Sequence, residues 1–340
     1  MPPGLYFRHP SSLEHDTGAH PENKARIPAI ENELASRDWL GWERREAPAV
    51  EIAQLERIHP AEHIERIRAM AAAGGGWFDA DTMASAGSWE AALHAAGGAC
   101  ALVDSLMTRE APTGFAGLRP PGHHCEVARP MGFCLFNNVA VAAQHALDAY
   151  GAERVAVFDW DVHHGNGTND IFHARRDVLY VSIHQSPLYP GTGPMRDVGE
   201  GDAEGYTVNL PVPPGSDEAL WGSLAQHVVM PVIRSFEPGL ILVSAGFDAH
   251  RADPLAQCSL ATESFAKLAT HVATTARELG VPFGAVLEGG YDLNALAQSV
   301  AATLDAFGDE SRTAEDFAAD ELTGQARAAF ARWWPVVATL

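Results

Sequence analysis

The chain has 340 residues, of which 46% are hydrophobic and 20% charged, a balance typical of a globular protein with a large buried core. A formal net charge of -21 argues against a surface that neutralises nucleic-acid phosphates and favours cationic partners. The sequence has no apolar run of membrane-helix length and no signal-peptide pattern. It therefore predicts a single cytoplasmic domain over residues 1–340, without nucleic-acid or membrane partners, and its Arg-over-Lys bias indicates a bacterial source.

Short β-branched runs alternate with amphipathic segments whose apolar residues recur every three to four positions. The pattern predicts an α/β fold in three layers, with a mainly parallel sheet and helices on both faces. The predicted strands are 4–8, 114–118, 154–160, 178–183, 239–244 and 282–287. The predicted helices are 24–37, 60–72, 88–107, 138–150, 217–236, 262–279 and 294–307. The tail after residue 308 is expected to pack as a final helix, with an exposed Trp333–Trp334 pair at an oligomer interface as the alternative.

The polar motifs of the chain each follow a predicted strand. They are residues 123–124, 159–163, 248 and 288–291. Ligands of open α/β sheets gather beyond the carboxyl ends of the strands, so this placement predicts one shared site. The three glycines at 74–76 are read as a flexible turn, because no phosphate-loop pattern follows them.

Asp161 and His163 are two residues apart, so in an extended segment their side chains leave on the same side and can share a metal ion. Carboxylate oxygen with imidazole nitrogen suits zinc, with iron(II) or cobalt as substitutes in vitro. The four cysteines form no CxxC pair of the kind that closes a structural zinc site. The pair therefore favours a catalytic metal site over a strand-end salt bridge.

Five motifs together resemble a known family. They are RPPGHH at 119–124, GFC at 132–134, DWDVHHGNG at 159–167, SAGFD at 244–248 and EGGY at 288–291. In order and character they resemble the zinc-dependent histone deacetylase family, class II branch, with its bacterial histone-deacetylase-like amidohydrolases and acetylpolyamine amidohydrolases. The resemblance runs from residue 20 to 307. It implies the arginase/deacetylase fold and hydrolysis of an acetyl amide by a metal-activated water.

The resemblance also implies a set of bound cations. Asp248 would join Asp161 and His163 as the third ligand of one catalytic zinc ion. Backbone carbonyls around Asp159, Asp161, His163 and Ser182 would hold a monovalent cation, K⁺.

Amide hydrolysis needs a base for water and an acid for the leaving amine, and histidine suits both near neutral pH. By resemblance His124 is that base and acid, while His123, held by Asp159, tunes the charge. Asn166 would be the partner of His124 at a position where some relatives have Asp, and a neutral amide should leave the pKa of the imidazole lower. Tyr291 matches the catalytic tyrosine, whose phenol donates to the developing oxyanion.

The substrate is also read from the resemblance. Phe133 and Tyr189 correspond to the aromatic walls of a narrow acyl-lysine tunnel, and Gly132 would line it with backbone. Leu255 stands where polyamine-selective relatives have a glutamate gatekeeper, and residues 77–88 lack room for the long loop of the bacterial polyamine enzymes. The expected substrate is an acetyl-lysine peptide or protein, with an acetylated polyamine or another small acetylated amine as the alternative.

Two rival functions fit these motifs less well than a deacetylase does. A dinuclear arginase would need carboxylates where this chain has Gly165 and His250, so one metal ion is expected. A non-catalytic acyl-lysine binding module would have lost a ligand or the tyrosine, and neither is missing. The sequence is compatible with either a monomer or a homo-oligomer.

Overall fold

A parallel sheet forms the centre of the structure, a computed structural model that describes residues 3–338. The strands are β1 (Leu5–Arg8), β2 (Glu43–Glu46), β3 (Gly75–Trp77), β4 (Met83–Ser85), β5 (Thr113–Ala116), β6 (Val155–Asp159), β7 (Val178–Gln185), β8 (Thr207–Val212), β9 (Leu240–Ala245) and β10 (Phe283–Leu287). Within the described range, eight of them form one sheet in the order β2-β1-β5-β10-β9-β6-β7-β8, with every pairing parallel. β3 and β4 form a separate antiparallel pair.

Helices cover both faces of this sheet. They are α1 (Arg26–Ser36), α2 (Ile52–Leu55), α3 (Ala61–Ala72), α4 (Ser88–Met107), α5 (Asn138–Tyr150), α6 (Asn166–Phe172), α7 (Glu218–Leu224), α8 (Met230–Phe236), α9 (Thr262–Leu279), α10 (Leu293–Gly308) and α11 (Glu321–Phe330). The α3, α4 and α5 side chains share one hydrophobic core, and those of α1, α7, α8, α9 and α10 share the other. None of the helices between residues 3 and 338 is both long and apolar enough to cross a membrane.

β6 shows why the central strands read as continuous apolar runs. Val155 and Val157 point into one core, and Ala156 and Phe158 point into the other, because successive side chains leave a strand on opposite faces. A strand buried on both faces therefore has no polar alternation. This confirms the predicted three-layer α/β architecture.

All six predicted strands are present, and the missed strands lie mainly at the sheet edges. β2 is the charged tetrapeptide Glu-Arg-Arg-Glu, and β8 contains Pro211. Charges and proline are tolerated at edges because one side of the strand has no ladder to complete. The predicted turn at 74–76 was wrong in part, since Gly75 and Gly76 begin β3.

The predicted helix 217–236 is interrupted. A π-helical segment, Ala225–Val229, separates α7 from α8, and Pro231 lies in the first turn of α8. The helix expected in the tail forms as α11. Trp334 is only 7% exposed and donates its indole N–H to the Gly205 carbonyl, so this side chain packs on its own chain instead of facing a partner.

The order of the strands brings the polar motifs together. β5, β10, β9 and β6 are consecutive neighbours in the middle of the sheet, and a polar motif follows the carboxyl end of each. The caps of the next helices then hold two of these motifs in place. The Asn137 side chain accepts from the Ala140 N–H, which starts α5, and donates to the Cys125 carbonyl directly after His124. Asp292, directly after Tyr291, accepts from the Ala295 N–H and starts α10.

Candidate active site

Asp161, His163 and Asp248 form a compact, buried group. One ligand atom from each lies within 4.8 Å of the others. His163 Nδ1 is 3.1 Å from Asp161 Oδ1 and 3.1 Å from Asp248 Oδ2. Backbone amides fix both carboxylates: Gly289 N–H donates to Asp161 Oδ2 at 2.8 Å, and Val162 N–H donates to Asp248 Oδ1 at 2.9 Å. The three donors are therefore preorganised around one point.

The charges of this group favour a bound cation. Burial alone would lower the pKa of His163, but the carboxylates of Asp248 and Asp161 outweigh it and raise that pKa to about 10. Burial alone would raise the pKa of Asp161, but His123 and His163 hold it below its usual value. Two buried carboxylates beside one imidazole need a positive charge among them. Two oxygens and one nitrogen form a donor set that fits zinc and leaves one position open.

Gly289 explains why the EGGY motif follows β10. A Cβ atom on Gly289 would lie 2.1 Å from Asp248 Oδ2 and 2.7 Å from Asp161 Oδ2. Only a residue without a side chain lets the backbone pass this close to the two carboxylates. The Gly289 N–H can then donate to Asp161, and the chain continues directly to Tyr291.

The two neighbouring histidines have opposite charge preferences. His123 Nδ1 is 3.0 Å from Asp159 Oδ2, and His124 Nδ1 is 2.8 Å from Asn166 Oδ1. Burial would lower the pKa of His123, but Asp159 and then Asp161 raise it to about 10. Burial and the adjacent His123 lower the pKa of His124 well below its usual value. His124 is therefore neutral and able to accept a proton, whereas His123 is cationic.

A cavity of about 180 Å³ leads to this group. It is lined by Asp81, His124, Gly132, Phe133, His163, Leu188, Tyr189, Leu255 and Tyr291. All four residues expected to contact substrate are in this set, whereas His123, Asp159 and Asn166 do not line the cavity. A larger cavity, of about 320 Å³, lies beside Phe283 at the amino end of β10 and contains none of the expected site residues.

Phe133 and Tyr189 form aromatic walls of the cavity. Phe133 has a positive φ of 70°, a backbone conformation that is strained for a bulky side chain, and its N–H donates to Thr82 Oγ1 at 3.1 Å. Gly132 precedes it where a Cβ would lie 2.4 Å from the His124 ring. Tyr189 is 37% exposed and packs edge-on against His124. The strained turn thus aims the Phe133 ring toward the cavity.

Asp81 and Leu188 line the cavity but were not among the expected site residues. Asp81 lies between β3 and β4, and burial together with the nearby Asp79 raises its pKa. Two aspartates in a short polar segment look like ordinary solvent-exposed loop residues in the sequence. The tertiary structure is needed to see that the Asp81 carboxylate, in the connection between β3 and β4, lies at the wall of the cavity.

Tyr291 is held at the cavity from both sides. Its N–H donates to Asp253 Oδ2 at 2.7 Å, and the Arg26 guanidinium lies 5.2 Å from its ring centroid. Arg26 also donates to the carbonyls of Gly290 and Glu288, at 2.7 and 2.6 Å, so it anchors the whole motif. Burial, then Asp248 and Asp161, raise the pKa of the Tyr291 phenol well above its usual value. The phenol is therefore protonated and available as a hydrogen-bond donor.

A second buried group, His59, His63 and Cys125, has the spacing of a metal site. Most of its donor atoms already have partners, although His63 Nδ1 is buried without one. His59 Nδ1 is 2.9 Å from the Val127 carbonyl, and His59 Nε2 accepts from the Asn137 N–H at 2.9 Å. His63 Nε2 and Cys125 Sγ both contact the carbonyl of residue 135, at 2.9 and 3.1 Å. These contacts show that the group braces the chain next to His124, with Cys125 directly following that histidine.

Comparisons with known proteins show the family and the fold of this chain. The histone deacetylase domain family matches residues 20–307. A histone deacetylase-like amidohydrolase of Pseudomonas aeruginosa is 40% identical over 295 residues, covering 86% of this chain and 76% of that protein. The polyamine deacetylase HDAC10 of Mus musculus is 44% identical over 222 residues, covering 63% of this chain and 32% of that protein.

The crystal structure of the HDA15 HD domain has the same fold. It has a TM-score of 0.91 and 33% identity, and the match covers 98% of this chain and 96% of that one. The predicted family and fold are thereby confirmed. Because the family match spans most of the chain, the chain belongs to the histone deacetylase family and is a hydrolase that removes acetyl groups from amides.

Proposed function

We propose that this deacetylase binds one zinc ion through Asp161, His163 and Asp248 and acts on acetylated lysine side chains of peptides or proteins. The observation that supports this most is the buried two-carboxylate, one-imidazole group next to an aromatic-walled cavity. When bound there, zinc would supply a Lewis acid that activates water and polarises the acetyl carbonyl. The narrow walls suit an unbranched alkyl stem that carries the acetyl group.

In this proposal His124 moves the proton. Its Nδ1–H donates to Asn166 Oδ1, so its Nε2 is the nitrogen left to take a proton from the attacking water. The same nitrogen then returns a proton to the leaving amine. His123, paired with Asp159, is a fixed positive charge beside it, which favours the neutral form of His124 before the reaction and stabilises developing negative charge.

Tyr291 has the second catalytic role. Its protonated phenol lines the cavity and would donate to the carbonyl oxygen as negative charge develops there. The Asp253 contact with its N–H and the Arg26 contacts with the preceding carbonyls keep the ring in place before substrate arrives. Preorganised donors of this kind cost no rearrangement during the reaction.

We expect His124→Ala to lower kcat by at least the roughly 10²-fold typical of general acid–base catalysis while zinc stays bound. His123→Ala should lower kcat less, because it removes a tuning charge and leaves the proton carrier. Steady-state kinetics with metal analysis of each variant measures both effects. His145→Ala is the matched control, because the His145 side chain is hydrogen-bonded to Asp104 and does not line the substrate cavity. A larger loss for His123→Ala at full zinc occupancy would reverse the two roles.

An acetylated polyamine is the alternative substrate. Asp81 places a carboxylate at the cavity wall, and one relative is named a polyamine deacetylase. Against this, Leu255 lines the cavity where a glutamate would be needed to pair with a second, charged amine. The apolar Leu255 favours a substrate whose next group is a neutral peptide backbone.

Measuring kcat/KM side by side for acetyl-lysine peptides, acetylputrescine and acetylspermidine distinguishes the two substrate assignments. We expect the peptides to have the higher values, and Leu255→Glu to shift the ratio toward acetylspermidine by about tenfold, the value of a charge-assisted contact. A matched Leu255→Gln variant separates charge from size. A wild-type preference for acetylspermidine would contradict the peptide assignment.

We propose that residues 1–340 form one catalytic domain and that K⁺ binds near the paired ends of β6 and β7, where Asp159 and Ser182 are in register. Light scattering tests whether the protein is a homo-oligomer. Activity in potassium-free buffer tests the second cation.

A further inference from the structure

Asn166 contacts two groups that lie on opposite sides of its amide. Its Oδ1 accepts from His124 Nδ1 at 2.8 Å, and its Nδ2 donates to Glu126 Oε1 at 2.8 Å. Nδ2 is also 3.4 Å from the His124 carbonyl and 3.3 Å from Met131 Sδ, a weak acceptor. The chain from His124 through Asn166 thus ends on a carboxylate.

An amide in this position needs to be oriented, whereas a carboxylate would not. The two ends of an asparagine side chain have nearly the same shape, but one accepts and the other donates. If the Asn166 amide turned over, its NH₂ would face His124 Nδ1, and that nitrogen would have to lose its proton. The neutral ring would then carry its proton on Nε2, where it could not accept one from water.

We propose that Glu126 is a positioning residue that holds Asn166 with its oxygen toward His124 and so keeps the Nε2 of His124 free to accept a proton. A carboxylate only accepts hydrogen bonds, so it selects the NH₂ end of the amide. A hydrogen bond to an ionised acceptor is also about twice as strong as a neutral one. The inference rests on the proposed role of His124 as the base.

Glu126 acts from outside the substrate cavity. It is half-buried and lines a separate cavity of about 400 Å³ together with Asn166, Asp197 and Glu200. This cavity shares no lining residue with the substrate cavity. Substitutions of Glu126 should therefore change kcat and leave KM nearly unchanged.

Kinetics of three variants tests the proposal. Glu126→Leu should lower kcat by about tenfold, the value of one hydrogen bond to a charged group, with KM within about twofold of wild type. Glu126→Gln, which keeps an accepting oxygen, should recover most of the loss. Glu200→Leu is the matched control, because it removes a glutamate from the same cavity. A Glu126→Leu enzyme with wild-type kcat would overturn the proposal.

A second comparison separates orientation from general support of the loop. Aspartate at position 166 has two accepting oxygens and needs no orienting partner. In an Asn166→Asp background, Glu126→Leu should therefore no longer lower kcat, and it should relieve the repulsion between the two carboxylates. An equal loss in both backgrounds would show that Glu126 only supports the fold, which contradicts the proposal.

The tautomer of His124 can be measured without turnover. Nitrogen NMR of the ¹⁵N-histidine-labelled full chain, with the signal assigned from His124→Ala, should show the proton on Nδ1 in the wild type and in Glu126→Gln. A proton on Nε2 in the wild type would overturn the proposal even if Glu126→Leu fails to fold. If the wild type hydrolyses no acetyl amide, the proposed function fails, while the NMR result still decides the role of Glu126.

Discussion

Asp248→Ala is expected to abolish zinc binding and deacetylase activity together. The change removes one of the two carboxylates that lie 3.1 Å from His163 Nδ1, and leaves one carboxylate and one imidazole. A catalytic zinc ion needs three protein ligands to stay bound while one position remains open. Hydrolysis of an acetyl-lysine peptide should fall to background, and metal analysis after dialysis should find no zinc. Asp161→Ala and His163→Ala should behave in the same way.

The matched control for these variants is Asp148→Asn. Asp148 is an exposed aspartate that pairs with Arg57, so its variant should keep both zinc and activity. His63→Ala should also keep the zinc, because His63 belongs to a separate group from Asp161, His163 and Asp248 and its Nε2 is bonded to the Leu135 carbonyl. Two tightly held ions per wild-type chain would contradict the mononuclear site.

Tyr291→Phe is expected to lower kcat by about 10² to 10³-fold, or roughly 3 to 4 kcal/mol, the cost of losing one oxyanion donor. The ring, its packing under Arg26 and the backbone contact with Asp253 are all retained, because only the hydroxyl is removed. Zinc content and the affinity of a hydroxamate inhibitor should stay close to those of the wild type. A loss of ground-state binding would instead appear chiefly in KM.

Steady-state kinetics on an acetyl-lysine peptide, with zinc content and thermal midpoint, measures this effect. Tyr150→Phe is the matched control, because it deletes a phenol that donates to Asp104 away from the cavity. A folded, zinc-replete Tyr291→Phe enzyme with kcat within about threefold of wild type would place the phenol outside the mechanism, since even one ordinary hydrogen bond is worth about 1 kcal/mol.

Elements with a regular burial pattern could be predicted from the sequence. α4, α5 and α9 begin and end where their apolar periodicity predicts, because each buries a continuous stripe. β2 could not be predicted, because its Glu-Arg-Arg-Glu sequence has no strand pattern of its own and forms a strand only by pairing with β1. β8 was missed for a related reason, since its proline is acceptable only at an edge.

The candidate site likewise contains local features that the sequence predicts and contacts between distant residues that it does not. The two-residue spacing of Asp161 and His163 and the glycines before Tyr291 are local features, so they could be interpreted from the sequence. The resemblance added Asp248, Asn166 and the cavity walls. It did not indicate Asp81, Leu188 or the contact between Glu126 and Asn166, which depend on how distant loops fold over one another.

By itself, the sequence determined which side chains leave the same face of a strand or helix, because that period is a property of the backbone. It therefore predicted Asp161 and His163 as candidate metal ligands and the layered α/β class, and its motifs indicated the family. Only the tertiary structure decided which strands became neighbours, and so which motifs meet. β5, β10, β9 and β6 are separated along the chain, yet their adjacency places His124, His163 and Tyr291 at one cavity, with Asp161 and Asp248 beside His163. The reason is that long-range pairing follows from burial of the whole sheet between two helical layers, which no single segment encodes.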